Sequence, residues 1–211
     1  MLIHPIVVSP FQMNCYVLAC EQTKEAIIID SGDEANRILS VIDDKGYALQ
    51  YLINTHAHVD HVSAVAAIQK ARNIPFYLHK NEEMVLGGLM MSQQGYGIGD
   101  GLMPTVTEYI DPAKSYTFGN QSLTVLETPG HTPGGVCFLS GNDIFVGDTL
   151  FAGSIGRTDL PGGNMPTLMS SIKNKLMSLE DHITVHSGHG PNTTIGQERA
   201  TNPFLNPLNQ W

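Results

Sequence analysis

The most informative part of the chain is a six-residue cluster of side chains that can bind metal ions. His56, His58, Asp60 and His61 share the segment His-Ala-His-Val-Asp-His, which follows the apolar residues 51–53 closely. Neutral imidazole and carboxylate groups are the ligands that borderline and hard divalent metal ions take. The spacing predicts that His56 and His58 bind one metal ion, while Asp60 and His61 turn toward a second.

Three further candidate ligands lie in glycine-containing loops later in the chain. They are His131 in Thr-Pro-Gly-His-Thr-Pro-Gly, Asp148 in Gly-Asp-Thr, and His189 in Ser-Gly-His-Gly-Pro. Each follows a short apolar segment with the composition of a strand. Because loops at the strand ends along one edge of a sheet converge, these residues are expected to meet the first cluster. The candidate set is then five histidines and two aspartates from distant loops, as metal sites require.

The segments that must position these side chains alternate between strand-like and helical patterns. Strands are predicted where apolar residues run between turn residues, at 16–20, 26–30, 51–54, 116–118, 123–127, 136–139, 144–146 and 183–186, with residues 1–8 as an edge strand. Helices are predicted where apolar residues recur every three or four positions, at 34–46, 62–72, 166–179 and 196–201. The Gly- and Met-rich residues 87–103 are predicted as a loop over the site or at its rim.

The order of these motifs resembles the metallo-β-lactamase superfamily, from Asn14 to about Leu205. Gly-Asp-Thr-Leu-Phe at 147–151 and Gly-Ser-Ile-Gly-Arg-Thr-Asp at 153–159 look like its glyoxalase II and persulfide dioxygenase branch. The ending, Gly-His-Gly-Pro-Asn-Thr-Thr-Ile-Gly-Gln-Glu and then Asn-Pro-Phe-Leu, is most similar to a compact bacterial glyoxalase II-like subgroup. The resemblance implies an α/β fold, the αβ/βα sandwich, in which two facing mixed sheets carry helices on both outer faces and ligand loops along one edge.

Carried over residue by residue, the resemblance implies a dinuclear metal centre. Metal one would be bound by His56, His58 and His131, metal two by Asp60, His61 and His189, with Asp148 as the bridge between them. Zinc is the first expectation for both divalent ions, and iron or manganese is compatible with the same ligands. Water activated by the metal ions would be the nucleophile. Asp60 would serve as a ligand and as a proton acceptor.

The resemblance also implies a reaction, hydrolysis of the thioester bond of an S-(2-hydroxyacyl)glutathione. Arg157 matches the position at which glyoxalase II enzymes place a basic residue for the glutathione moiety; the alternative is a surface salt bridge. Asp159 is the second substrate-binding candidate, although those enzymes often have an aromatic contact there. Two other functions stay open. One is persulfide dioxygenase, with a single iron on His56 or His58, His131 and Asp148; the other is hydrolysis of a lactone or another acyl compound.

Composition excludes some classes of function. The 211 residues, 42% hydrophobic and 15% charged, are typical of a globular protein, and we expect a single domain over residues 1–211. A net charge of −9, with eleven scattered basic residues, argues against nucleic acid as a partner. Three cysteines without metal-ligand spacing favour a reducing cytoplasm. We expect a small glutathione-type thioester as the partner, with no membrane segment, signal peptide or protein partner.

Overall fold

Segments rich in isoleucine, valine and leucine form two six-stranded sheets in the computed structural model, which describes residues 1–205. The strands in chain order are β1 (Leu2–Val8), β2 (Met13–Ala19), β3 (Glu25–Ile29), β4 (Ala48–Ile53), β5 (Phe76–Leu78), β6 (Glu108–Tyr109), β7 (Ser115–Phe118), β8 (Gln121–Glu127), β9 (Val136–Ser140), β10 (Asp143–Gly147), β11 (Leu150–Phe151), β12 (Ser154–Ile155), β13 (Thr184–Ser187) and β14 (Thr193–Thr194).

The strand order places most of the ligand-bearing strands in the middle of the sheets. The first sheet has the order β1-β2-β3-β4-β5-β6 and the second the order β14-β13-β10-β9-β8-β7, while β11 and β12 form a separate pair. Both large sheets are mixed, since β3 to β6 pair in parallel, as do β10 and β13, and the other pairs are antiparallel. Strand β1 lies at the edge of the first sheet, which confirms that prediction.

Helices connect the strands and cover the sheets. They are α1 (Ala35–Asp44), α2 (Val59–Val62), α3 (Val65–Arg72), α4 (Glu83–Gly87), α5 (Leu89–Tyr96), α6 (Met165–Ser171) and α7 (Ile195–Thr201), with a 3-10 turn at Lys80–Glu82 before α4 and a π-helical turn at Ile172–Leu176 after α6. Asn164 caps α6 through its side chain, which accepts a hydrogen bond from the Thr167 amide. The predicted helices near residues 34–46, 166–179 and 196–201 are therefore confirmed within a few residues.

The two sheets face each other across an inner apolar core. Ile27 of the first sheet and Phe138 of the second lie in the same buried cluster. Ile38 of α1 and Ile68 of α3 pack in a second cluster on the outer side of the first sheet. Leu168 of α6 belongs to a third cluster, against the outer side of the second sheet. Helices outside two facing sheets make the four-layer αβ/βα sandwich, so the predicted fold class is confirmed.

The helix predicted at residues 62–72 is interrupted, and the interruption belongs to the ligand loop. Asp60 and His61 lie inside the short helix α2, and α3 begins only at Val65. The Ala64 amide donates to the carbonyl oxygens of Ser31 and Gly32 instead of continuing the helical hydrogen bonds of α2. A contact with the loop after β3 therefore holds α2 as a separate turn that carries two candidate ligands.

The prediction of a loop at residues 87–103 is wrong for its first half. Residues 89–96 form α5, because Leu89 and Gln93, four positions apart, bury one face of the helix. Gly97, with φ of +68°, ends the helix in the left-handed conformation that glycine adopts without strain. Within residues 1–205, no helix is long and apolar enough to cross a membrane.

Candidate metal centre

The candidate ligands converge because the strands that precede them end at the same edge of the sandwich. Strand β4 leads into the loop that carries His56 and His58, and β8 leads into the turn that carries His131. Asp148 directly follows β10, and His189 lies two residues beyond the end of β13. Each sheet therefore supplies part of the site, and all seven predicted ligands are brought together.

Three histidines form the first group of ligand atoms. One nitrogen each from His56, His58 and His131 lies within 4.8 Å of the others. The His58 and His131 rings are 4.6 Å apart, and each lies 4.8 Å from the His56 ring. Edge-on imidazoles at this spacing leave a common point between their nitrogens that suits a tetrahedral metal ion. We refer to this group as site one.

A second group lies beside the first. Asp60, His61 and His189 also bring one ligand atom each to within 4.8 Å of one another. The Oδ2 atom of Asp60 lies 3.1 Å from His189 Nε2 and 3.9 Å from His61 Nε2. This group, site two, is the set that the sequence predicted for a second metal ion.

Asp148 lies between the two groups. Its Oδ1 atom is 3.3 Å from His61 Nε2 of site two, and its Oδ2 atom is 3.7 Å from His131 Nε2 of site one. The same Oδ2 atom is 3.6 Å from His189 Nε2. The carboxylate therefore faces both sites, which is the position that a bridging ligand requires.

The histidine rings are oriented by groups outside the two sites. Each of four rings is held through its Nδ1 atom: His56 by Thr55 Oγ1 at 3.0 Å, His61 by Asp30 Oδ2 at 3.0 Å, His131 by the Arg157 carbonyl oxygen at 2.7 Å, and His189 by the Phe11 carbonyl oxygen at 3.1 Å. The Thr55 hydroxyl donates to Asp30 Oδ2, so its oxygen accepts the proton on His56 Nδ1. An Nδ1–H donated outward leaves the Nε2 lone pair free toward the site.

Unpaired buried atoms provide the test of whether these residues fit metal ions. The Nε2 atoms of His56, His61 and His131 and the Oδ1 atom of Asp148 are buried without a hydrogen-bond partner in the described part of the chain. Buried polar atoms are rarely left unpaired, and four of them in one place require a shared partner. Divalent cations can accept the lone pairs of these nitrogen and oxygen atoms, so the residues fit two metal ions.

The protonation states of His56, His58 and Asp148 favour metal binding as well. Burial and the neighbouring imidazoles hold the pKa of His58 at about 3 and the pKa of His56 well below its usual value, so both rings are neutral. Burial opposes ionisation of Asp148, but His61 and the other imidazoles hold the pKa of this carboxyl well below its usual range. Neutral imidazoles and an ionised carboxylate are the forms that coordinate metal ions.

Asp30 supports the site from beneath. Its Oδ1 atom accepts the Thr55 amide at 2.7 Å, and its Oδ2 atom accepts the Thr55 hydroxyl and His61 Nδ1. Asp30, His56 and His61 also lie close enough to form a third ligand group. Because both Asp30 oxygens already accept hydrogen bonds, we assign this carboxylate a supporting role rather than that of a ligand.

Sequence reasoning missed the residue that fixes the His189 loop. The Asn14 side chain donates to the carbonyl oxygens of Ser187 and Gly190 at 3.0 and 2.9 Å. The backbone amide of Asn14 donates to the Gly188 carbonyl oxygen at 2.7 Å. The Tyr16 hydroxyl donates to the Ser187 carbonyl oxygen at 2.7 Å. A polar residue within the fully buried strand β2 was the signal available in the sequence.

A cavity of about 530 Å³ opens over the candidate ligands. Arg157 lines it, but its guanidinium makes a bidentate contact with Asp159, with both nitrogen–oxygen distances at 2.7 Å. Both side chains are more than half exposed. The position of Arg157 is thus compatible with a substrate contact, and Asp159 contacts Arg157 rather than the cavity. Their roles in substrate binding stay predictions.

Comparisons with known proteins place this geometry in a family. The chain is 38% identical to "Probable metallo-hydrolase YqgX" of Bacillus subtilis, over 94% of this chain and 95% of that protein. It is 36% identical to "Hydroxyacylglutathione hydrolase GloC" of Haemophilus influenzae, over 98% of this chain and 99% of that protein.

Solved structures agree over almost the whole chain. The di-iron-bound form of TTHA1623 has a TM-score of 0.87 at 37% identity, covering 96% of this chain and 100% of that one. BLEG-1 B3 metallo-beta-lactamase has a TM-score of 0.84 at 38% identity, covering 97% and 99%. ETHE1 from Myxococcus xanthus has a TM-score of 0.82 at 25% identity, covering 96% and 84%. A family model matches residues 8–189, which include all seven candidate ligands. The chain belongs to the metallo-beta-lactamase superfamily.

Proposed function

We propose that this chain is a dinuclear metal-dependent hydrolase that cleaves the thioester bond of an S-(2-hydroxyacyl)glutathione. The observation that carries the proposal is the position of Asp148, which faces two complete groups of ligand atoms. The full-length similarity to hydroxyacylglutathione hydrolase GloC supports the choice of substrate. The membership in a superfamily of metallo-hydrolases supports the reaction class.

In this proposal, the residues of the two sites divide the work. His56, His58 and His131 hold one divalent ion, and Asp60, His61 and His189 hold the other, with Asp148 shared by both. When bound, such ions supply an activated water molecule and polarise a carbonyl oxygen. Zinc is our first proposal for both positions, and the di-iron form of TTHA1623 supports iron as an alternative.

Proton movement in this proposal falls to Asp60. Its carboxylate lies beside His189 and lines the cavity, where it would accept the proton released by the attacking water. Because a thiolate is a good leaving group, no separate general acid is needed to release the thiol.

A second candidate function is oxidation of a persulfide, and the similarity to ETHE1 is the observation that favours it. A mononuclear site of this kind uses His56 or His58 together with His131 and Asp148. Site two would then have no use, although Asp60, His61 and His189 are all positioned as ligands. The dinuclear hydrolase accounts for more of the observed geometry, and we prefer it for this reason.

One preparation tests the two functions against each other. Metal-loaded protein is assayed for loss of the ultraviolet absorbance of S-lactoylglutathione and for oxygen consumption with glutathione persulfide. We expect thioester cleavage without oxygen uptake. Oxygen uptake without thioester cleavage would transfer the function to the dioxygenase. Cleavage of a lactone but not of the thioester would keep the hydrolase and change its substrate.

A further inference from the structure

The cavity over the candidate metal centre has a long apolar side that the reaction itself does not require. Its floor consists of candidate ligands, and its opposite side is lined by Phe11, Met84, Val85, Leu89, Tyr96 and Leu160. We call these six side chains the apolar wall. Away from the candidate ligands, the side chains that line the cavity offer three polar groups, Ser92, Arg157 and the hydroxyl of Tyr96, and Arg157 is paired with Asp159.

The apolar wall is a built surface rather than a chance exposure. Helices α4 and α5 supply four of its six members, and Leu89 is anchored in the core of the first sheet. The rings of Phe11 and Tyr96 meet edge to face at 5.3 Å and so close one end of the wall. The Phe11 carbonyl oxygen also accepts a hydrogen bond from His189 Nδ1, which joins the wall to site two.

The size and chemistry of the cavity point to an apolar group on the substrate. A volume of about 530 Å³ is in the range that holds a drug-sized molecule, so it must hold part of glutathione as well as the acyl group. Glutathione carries two carboxylates and an amine, for which the apolar wall offers no ionic partner, whereas an apolar acyl chain matches the wall. The candidate ligands and the apolar wall line the same cavity, so a chain attached to a carbonyl at the ligands would extend along the wall. We propose, resting on the thioester hydrolysis proposed above, that the wall binds the acyl part of the substrate and selects large apolar acyl groups over lactoyl.

Binding of product acids tests this subsite without requiring turnover. The affinity of zinc-loaded protein is measured by calorimetry for a series of 2-hydroxy carboxylic acids, from lactate to 2-hydroxyoctanoate. We expect the dissociation constant to fall with each added methylene group, by up to about fourfold per group for full burial. Equal affinity across the series would overturn the subsite.

Two methionines provide a matched pair of variants. Met84 lines the cavity, whereas Met91 is 81% exposed and does not. Met84→Gln is expected to weaken binding of 2-hydroxyoctanoate by about threefold or more and to leave lactate unchanged, because it places an amide on the apolar wall. Met91→Gln is expected to change neither. Equal effects of the two substitutions, or no effect of Met84→Gln, would also overturn the subsite.

Failure of this proposal can be separated from failure of the proposed function. If the acids bind more tightly as they lengthen but S-lactoylglutathione and its longer acyl homologues are not cleaved, the acyl subsite stands and the thioesterase proposal falls. If the thioesters are cleaved but the acids bind with equal affinity, the subsite falls alone.

A different observation, independent of the cavity, concerns Glu82. This carboxylate is completely buried at the end of the 3-10 turn before α4. Its Oε2 atom accepts the Ala57 amide at 2.8 Å, and its Oε1 atom accepts the Gly134 amide at 2.7 Å. The Gly134 backbone approaches so closely that an added Cβ would lie 2.9 Å from the Glu82 amide nitrogen.

These two hydrogen bonds join the loops that deliver site one. Ala57 lies between His56 and His58, and Gly134 lies in the turn that carries His131. Site two is held differently, by Asp30 through His61 and by Asn14 through the His189 loop. We infer that Glu82 is a positioning residue for site one, setting the distance between its two histidine loops.

The test separates the two sites before substituting Glu82. In a His189→Ala background site two lacks a ligand, and in a His58→Ala background site one lacks one. We expect Glu82→Gln to weaken zinc binding about 10–100-fold in the first background and to change it little in the second, because Gln can accept only one of the two amides. Glu83→Gln, on the exposed neighbour, is the matched control and is expected to change neither affinity.

A second variant guards against general destabilisation. Glu82→Asp keeps the charge but is one methylene too short to span both loops, so it is expected to behave as Glu82→Gln does. Zinc binding that weakens equally in both backgrounds, or wild-type affinity in Glu82→Asp, would overturn the positioning role.

Discussion

At the scale of single residues, the site depends on which nitrogen of each ligand histidine makes a hydrogen bond outside the site. Four ligand histidines make hydrogen bonds through Nδ1 to groups outside the site. These groups are the side chains of Thr55 and Asp30 and the carbonyl oxygens of Phe11 and Arg157. These hydrogen bonds fix the tautomer of each ring, with the proton on Nδ1 and the Nε2 lone pair directed toward the site. Metal affinity therefore depends on residues that never touch the metal.

Asp148 is the single ligand on which both sites depend. Asp148→Asn keeps the shape but removes the charge that two cations share, so we expect it to lose most bound metal and nearly all turnover while staying folded. Metal content by mass spectrometry and circular dichroism check this. Asp143→Asn is the control. Asp143 lies away from the site, where its Oδ1 atom is 2.7 Å from His186 Nε2. Near-normal activity in Asp148→Asn would mean that the bridge lies elsewhere.

Asp159 competes with any anionic substrate for Arg157. Asp159→Asn should free the guanidinium and lower the KM for S-lactoylglutathione by up to about fivefold, because solvent screening makes an exposed ion pair weak. Arg157→Ala should raise the same KM with a modest change in kcat, as expected for lost uniform binding. Steady-state kinetics of both variants and of the double variant check this. If neither constant changes in either single variant, the pair is only a surface salt bridge.

At the scale of elements, strand ends deliver the ligands and close backbone contacts set their spacing. The loop after β3 interrupts the helical hydrogen bonds beyond α2, and the loop after β13 runs against Asp148 and His61. Glycine is required at such approaches, because any Cβ would overlap a ligand.

Gly188 tests this spacing. A Cβ at this position would lie 2.3 Å from Asp148 Oδ1 and 2.7 Å from His61 Cε1. We expect Gly188→Ala to displace both ligands, to lose the metal of site two and to reduce turnover by at least about tenfold, as seen when metal surroundings are altered. Gly87→Ala, where an added Cβ has no neighbour within 4 Å, should retain both ions. Two bound ions in Gly188→Ala would contradict the close approach of this loop to the ligands.

At the scale of the whole molecule, the two sites connect the two sheets. Site one joins the loop after β4 of the first sheet to the turn after β8 of the second, and Asp148 adds the loop after β10. The inner core holds the sheets together over most of their area. Metal ions held by these residues would add a connection at the edge where the ligand loops of the two sheets meet.

Metal binding should therefore stabilise the fold, by an amount that grows with the logarithm of the free metal concentration above Kd. Ligand at about 100 times its Kd adds about 2.7 kcal/mol, which corresponds to a rise in Tm of roughly 5–10 °C for a chain of this size. Scanning calorimetry during a zinc titration should show a steep rise in Tm up to two ions per chain and a shallow, logarithmic rise beyond that point. A variant with His58→Ala and His189→Ala should respond much less. Saturation at one ion, unaffected by His61→Ala or His189→Ala, would contradict the dinuclear centre.

Many strands and helices, the candidate ligands and the superfamily could be predicted from the sequence alone, because they leave recognisable patterns in it. Strands and helices followed from residue periodicity, and the seven candidate ligands followed from residue types at strand ends. The superfamily and its sandwich followed from the order of the motifs. The strands, the helices and the single ligand motifs depend on neighbours within a few residues, which is the range over which sequence patterns are informative.

Only the tertiary structure decided which groups support the ligands and what surrounds the substrate. Asp30 meets His61 across 31 positions, and Asn14 meets Ser187 across 173. Nothing in the residues beside Glu82 distinguishes it from an ordinary helix-start carboxylate, and the fold alone buries it between two loops. Residues 89–96 became a helix because packing of Leu89 and Gln93 outweighed the surrounding glycines. Burial and long-range hydrogen bonds depend on where the whole chain places each residue, and no local pattern contains that information.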